Sequence, residues 1–266
     1  MYNKYLEFAR EIAYKAGEVM IKYFKGDTNA TYKFDQTIVT KADTEINSYL
    51  VDKVKECFPT HCVDGEEEQF GESNYVWVCD PVDGTAMYAR HIPVAVFSLA
   101  LVVDGTPIVG VVYDPFTDVL YSAIKGQGAY KNDKKLTVNK MNFNNMKSVS
   151  HFDIVPKSHY EFYPYNLHEA VKILGQKTYF VSIGSVIRAS MCVANGDFNL
   201  AIYPGTIHKN CDIAAAKVIV EEAGGKVTDI FGNEQRYDKD INGAVISNGL
   251  VHEEVINVLK NTLLNN

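Results

Sequence analysis

Two aspartates, a glycine and a threonine stand within six residues in DPVDGT, residues 80–85, inside the longer stretch CDPVDGTAMYA. The apolar run YVWV precedes it and PVAVFSLALVV follows soon after. Asp80 and Asp83 are three apart, and at a strand end that turns tightly both can face one point. Carboxylate oxygens, a backbone carbonyl and a hydroxyl are the donors that a hard cation such as Mg²⁺ prefers. Gly84 lets the backbone approach closely. Thr85 adds a hydroxyl and an N–H at a helix start, where backbone N–H groups suit an anion. The same six residues also fit an ordinary Asp/Gly turn or an Asp N-cap, so the rest of the chain has to decide.

Three further acidic segments bear on that choice. VDGEEEQFGE, residues 63–72, places Glu66, Glu67 and Glu68 directly after a glycine, which fits either a ligand set or a solvated acidic loop. Asp43 lies in IVTKADTEINSYL, where Thr40 to Asp43 has the spacing of a capping box. A cap and a catalytic role can coexist at one residue. Asp212 heads CDIAAAKVIVEEAGG, where the helix dipole alone favours a carboxylate. Ala214, Ala215 and Ala216 behind it suggest close helix packing. His208, just upstream, is left unassigned between ligand, base and loop residue.

The elements that must position these groups are legible from periodicity. Residues 3–24 read as a helix, with Tyr5, Phe8, Ile12, Ala16, Val19 and Tyr23 near one face and Gly26 as its stop. Residues 44–57 read as a second helix ended by Pro59. Strands are expected at 75–79, 94–103, 108–113 and 119–123, and GQGAYKNDKKL as a turn, a short strand and another turn. In the second half, helices are expected at 166–174, at 186–195, along CDIAAAKVIVEEAGG and from about residue 250. Strands are expected at YFVSIG, FNLAIY, KVTDI and GAVISN. Interleaved helices and strands, with a run of adjacent strands early on, imply layered α and β structure with antiparallel as well as parallel pairing.

Composition narrows the function. The 266 residues are 47% hydrophobic, enough for a sizeable core in one large domain or two closely joined ones. No run of 18 apolar residues suggests a membrane span. The N-terminus reads as an amphipathic helix rather than a signal peptide. Five cysteines with no CxxC pair suggest free thiols in a reducing compartment, the cytoplasm by default. A net charge of −7 without a dense basic run argues against nucleic acid. Such an acidic site repels phosphate unless a metal cation reverses the local sign.

Taken in order, IVTKAD, GEE, DPVDGT and CDIAAAKVIVEEAGG resemble the inositol monophosphatase family of Mg²⁺-dependent, lithium-sensitive phosphatases, from about Ile38 to Asn248. The segments PVAVFSLALVVDGTPIVGVVYDP and GQGAYKNDKKLTV add to the likeness. The resemblance implies an α/β fold, a layered α-β-α-β-α sandwich with mixed sheets like that of inositol monophosphatase and fructose-1,6-bisphosphatase-like phosphatases. An N-terminal α+β half, 1–143, would carry the metal-binding motifs, and a C-terminal α/β half, 144–266, would complete the active site. Glu66, Asp80, Asp83, the carbonyl of Val82 and Asp212 match the family's ligands for two or three Mg²⁺ ions. Asp43 and Thr85 match the pair that orients an attacking water, with Glu67 holding waters around a third, weaker metal. The N–H groups of Gly84 and Thr85 would meet the phosphate. Gly184, Ser185 and Val186 resemble the substrate-side turn.

By resemblance, the expected activity is hydrolysis of a small soluble phosphomonoester, nominally inositol 1-phosphate, by metal-activated water in a cytoplasmic homodimer. Three departures bear on the substrate. Cys211 stands where the family often has Trp, and Ala86, Met87 and Tyr88 replace its usual T/S-N-F. No acid lies between Phe198 and Asp212, where inositol-specific members carry a glutamate. Tyr203 or the loop 204–210 would fill that space, while Arg188 and Lys209 would meet a second anionic group or serve as ordinary surface charge. A sugar bisphosphate, a nucleotide 3′,5′-bisphosphate or histidinol phosphate therefore stays open, as does a non-catalytic sensor of metal or metabolite. Haloacid-dehalogenase phosphatases are a poorer match, because their motif is D-x-D and this one is D-P-V-D.

Overall fold

The computed structural model describes residues 2–33, 37–153, 165–205 and 209–263. The first half runs α1 (Asn3–Lys25), β1 (Thr31–Tyr32), β2 (Ile38–Val39), α2 (Lys41–Cys57), β3 (Cys62–Gly65), β4 (Gln69–Phe70), β5 (Tyr75–Asp83) and α3 (Thr85–Tyr88). It continues through β6 (Val96–Val103), β7 (Thr106–Asp114), β8 (Val119–Ile124), β9 (Ala129–Lys131) and β10 (Lys134–Lys135). The second half holds β11 (Val149–Phe152), α4 (His168–Leu174), β12 (Tyr179–Val181), α5 (Val186–Ala194) and β13 (Leu200–Tyr203). Then come α6 (Ala214–Glu222), β14 (Lys226–Thr228), β15 (Ala244–Ser247) and α7 (His252–Leu263).

An eight-stranded sheet has the order β10-β9-β8-β7-β6-β5-β3-β4, and a five-stranded sheet the order β12-β11-β13-β15-β14. Both are mixed. β3 runs parallel to β5 within an otherwise antiparallel sheet. In the smaller sheet β11 is parallel to β12 and β13, while β15 is antiparallel to β13 and β14.

Strand alternation builds the layers, because successive side chains point to opposite faces. Trp77, Leu99, Leu101 and Val111 pack with Ile12, Met20, Ile46 and Leu50 of α1 and α2. The alternate residues Val78, Ala100 and Val112 face Ile187 and Met191 of α5 and Ala215 and Ile219 of α6. Those two helices also meet Ala201 and Ile246 of the smaller sheet. Its opposite face, with Leu200, Ile202 and Val245, is covered by Leu174 of α4 and Val255 and Leu259 of α7. The result is the α-β-α-β-α sandwich that the resemblance implied. Among the described residues no helix is long and apolar enough to cross a membrane.

Several boundaries differ from the sequence expectations, for local reasons. α2 starts at Lys41 rather than 44, because Thr40 and Asp43 form the capping box. β5 does not stop at 79 but runs through the DPVD motif to Asp83. α6 begins at Ala214, so Asp212 lies in the preceding turn and not on the helix. β3, β4 and β11 were not anticipated; each is four residues or fewer, too short to show a period.

Candidate metal centre and active site

The spacing of Asp80 and Asp83 is resolved by a β-bulge. Asp80 pairs with Ser98 and Asp83 with Val96, so three steps on β5 oppose two on β6. In a regular strand, residues three apart face opposite sides; one extra residue brings them to the same side. Core packing agrees. Val76 and Val78 face the α5/α6 layer, but Val82 has moved to the α1/α2 side. Pro81 sits within the bulge, where its missing N–H costs no ladder bond. Asp83 then meets the start of α5, where Ser185 Oγ and the Ile187 N–H (2.9 Å) both donate to its Oδ2. Asp80 Oδ1 accepts the Val82 N–H at 3.0 Å.

The turn that follows is shaped for close approach. Gly84 has φ +89°, and a Cβ there would lie 3.0 Å from the Gly184 carbonyl and 3.2 Å from Ser185 Cβ. The substrate-side turn expected at 184–186 therefore packs directly on DPVDGT. Ser185 caps α5, accepting the Arg188 N–H at 3.1 Å. Val186 is buried among the apolar residues of the central layer. Thr85 Oγ1 donates to the Val82 carbonyl at 2.7 Å. Met87 packs against this turn: its Cγ would lie 2.7 Å from a Cβ on Gly184. Tyr88 is core, its hydroxyl donating to the Met20 carbonyl at 2.6 Å.

The acidic loop is aligned by parallel pairing. Gly65 stands opposite Cys79, and the Glu66 N–H bonds the Cys79 carbonyl at 3.1 Å, which sets Glu66 beside Asp80. Asn47, one helical turn after Asp43 on the same face, holds the loop: its Oδ1 accepts the Glu67 N–H and its Nδ2 donates to the Glu68 carbonyl, each at 3.1 Å. One oxygen each from Asp43, Glu66 and Glu67 lies within 4.8 Å of the others. Asp43 Oδ2 takes the Thr40 N–H (2.8 Å) and hydroxyl (2.5 Å), while its buried Oδ1 has no hydrogen-bond partner. Asp212 joins from the turn before α6, accepting the Tyr203 hydroxyl on Oδ2, with Cys211 Sγ 3.8 Å from Oδ1.

Electrostatics follow from burial. Burial pushes the Asp43 carboxyl up to about 7. Asp80 is pushed well up by burial and then by the charges of Glu66, Asp83 and Asp212. Asp83 rises through burial and the charge of Asp212, and Asp212 rises mainly through burial. Glu66 goes the other way: burial opposes it, but the ammoniums of Lys209 and Lys33 hold it below the usual carboxylate range.

The two basic residues considered for a second anionic group both pair with carboxylates. Arg188 extends to β7 and pairs with buried Asp114, and Lys209 pairs with Glu66. Lys33, Asn47 and Asp153 escaped the sequence reading. Asp153 follows β11, its N–H bonded to the Ile202 carbonyl (3.0 Å); burial and then the charge of Asp212 push it up to about 6. Recognising 149–152 as a strand would have placed this acid at a strand end. His208 lies outside the described residues.

Carboxylates carried on a bulged strand, a parallel neighbour and a helix-leading turn give this layered α/β scaffold an acidic cluster that could hold a hard cation, beside a tight glycine turn. The chain belongs to the inositol monophosphatase family, whose profile matches residues 1–263. It is 28% identical over 264 residues to inositol monophosphatase 2 of Solanum lycopersicum, covering 97% of this chain and 98% of that one. It is 29% identical to a fructose-1,6-bisphosphatase/inositol-1-monophosphatase of Thermotoga maritima, covering 96% and 95%. A solved Thermotoga maritima inositol monophosphatase superposes with a TM-score of 0.83 at 27% identity, covering 97% of each chain. The protein is accordingly a phosphatase, a phosphoric monoester hydrolase of a family that acts on small phosphorylated substrates.

Proposed function

We propose that this phosphatase is Mg²⁺-dependent and hydrolyses a small phosphorylated metabolite, with inositol 1-phosphate as the nominal substrate. The observation that carries the metal requirement is the burial of Asp80, Asp83 and Asp212 within reach of one another's charge and that of Glu66, next to the Asp43, Glu66 and Glu67 cluster with its orphaned Asp43 oxygen. So many like charges out of water need a cation. Glu66, Asp80, Asp83, Asp212 and the Val82 carbonyl would hold Mg²⁺, which when bound supplies Lewis acidity toward water and a phosphate oxygen. Asp43 Oδ1 accepts a proton from an incoming water, and the Thr85 hydroxyl, anchored on Val82, fixes the other side. Glu67 would hold waters at the rim. The N–H groups of Gly84 and Thr85 receive the phosphate at a turn that only a side-chain-free residue leaves open.

A second reading, a sugar bisphosphate, is supported by the likeness to the Thermotoga maritima fructose-1,6-bisphosphatase/inositol-1-monophosphatase and by the absence of an acid between Phe198 and Asp212. The cytoplasm is favoured by five free cysteines. The homodimer rests on family resemblance and is checked by analytical ultracentrifugation. The function is tested by phosphate release from inositol 1-phosphate, fructose 1,6-bisphosphate, histidinol phosphate and a nucleotide 3′,5′-bisphosphate, with Mg²⁺, with EDTA, and with Mg²⁺ plus lithium. Release that needs Mg²⁺ and falls with lithium is expected. Release undiminished by EDTA would overturn the metal requirement. No release from any substrate, by a folded protein that still binds Mg²⁺, would favour a sensor.

A further inference from the structure

Glu66 is unusual in the cluster because its charge is already answered. Its Oε1 is contacted by two ammoniums at once, Lys209 Nζ and, at 3.2 Å, Lys33 Nζ. Lys33 also reaches Glu67 Oε1 at 2.5 Å. These are sheltered pairs: the side chains of Glu66 and Glu67 are 10% and 12% exposed, those of Lys209 and Lys33 20% and 24%. An oxygen carrying two ammoniums cannot also carry a divalent cation at bonding distance without the cations repelling one another. A lysine, a point charge on a flexible stem, can leave. The neutralisation is also incomplete, since Asp43 Oδ1 stays buried without a partner.

We propose that Lys209, assisted by Lys33, is the internal counter-cation of this metal centre: it holds Glu66 in the metal-free protein, and a divalent cation must displace it. The lysines thereby raise the cation concentration at which the site fills. This rests on the Mg²⁺-dependent reading above.

The experiment uses the full chain, stripped with EDTA and dialysed, as wild type, Lys209→Met and Lys33→Met. Mn²⁺ binding is measured calorimetrically, and melting temperature with and without Mg²⁺. Lys209→Met is expected to bind Mn²⁺ about tenfold more tightly, a gain of about 1.4 kcal/mol. Its metal-free form should melt lower than wild type, because Glu66 loses a partner, and saturating Mg²⁺ should raise its melting temperature by more than wild type gains. A purely structural lysine would lower both melting temperatures equally. Should Lys209→Met not fold without metal, Lys33→Met decides, with affinity expected to rise about threefold through the same oxygen. If wild type binds Mn²⁺ and the deciding variant binds it equally or more weakly, the counter-cation role is overturned and the metal reading stands. If wild type binds no Mn²⁺, both fall.

Discussion

Asp83 has one oxygen committed to the fold, because Ser185 and the Ile187 N–H both donate to Oδ2. The proposed metal role falls to its charge and its other oxygen. Asp83→Asn keeps the shape and the acceptor while removing the charge. Phosphate release should fall about a hundredfold or more. The metal-free melting temperature should hold or rise, because repulsion from Asp212 disappears; wild-type turnover at saturating Mg²⁺ would sink the assignment. Arg188 makes the opposite case. Its guanidinium pairs with Asp114, a nearly inaccessible carboxylate that also takes the Phe116 N–H (2.9 Å) and the Thr117 hydroxyl (2.6 Å). Arg188→Met should cost about 2 kcal/mol by stranding that charge, read as a lower urea midpoint. A large rise in KM with unchanged stability would instead make Arg188 a substrate contact.

Elements carry the site by lying close to one another. α6 rests on β7 where Gly110 has no side chain: a Cβ would fall 2.5 Å from Val218 Cγ1 and 2.8 Å from the Ala215 carbonyl. The alanines at 214–216 complete the near approach, and Asp212 is carried on the turn leading into this helix. Gly110→Ala should therefore cost about 2 kcal/mol, because the Ala215 backbone as well as the Val218 side chain must move. Urea denaturation measures this, and an unchanged midpoint would mean that α6 is free to shift. The alanine run made close packing legible in the sequence. Its partner on β7 was not, because Gly110 lies in an apolar strand that gives no sign of what covers it.

Across the whole molecule, pH stability includes a buried histidine remote from the acidic centre. His252 joins Ser247 Oγ through Nδ1 (2.8 Å) and Thr228 Oγ1 through Nε2 (3.0 Å). Burial, then the Lys226 charge, pushes it down to about 4. The unfolded chain takes up this proton near pH 6.5, the native protein only near 4. Between those values the unfolded state binds more protons, so the contribution is full above pH 6.5 and is lost as pH falls toward 4. The loss is about 3 kcal/mol. His252→Gln lacks this titration, so the stability gap between wild type and variant should shrink by that amount from pH 7 to pH 4. Parallel stability curves would refute it.

Local pattern alone determined a good deal. The stripe of Tyr5, Phe8, Ile12 and Ala16 fixes the buried face of α1, the Thr40–Asp43 spacing caps α2, and the acidic motifs mark where a hard cation would bind, because each signal is written within a few residues. Only the tertiary structure decided the rest. The bulge that turns Asp83 to the side of Asp80 depends on the register with β6. The partners of Arg188 and Lys209 lie 74 and 143 residues away. Asp153 reaches the site through parallel pairing of the four-residue strand β11 with β13. Hydrophobic period tells which face of an element is buried; sheet order and register, set by packing among distant segments, tell which charges meet there.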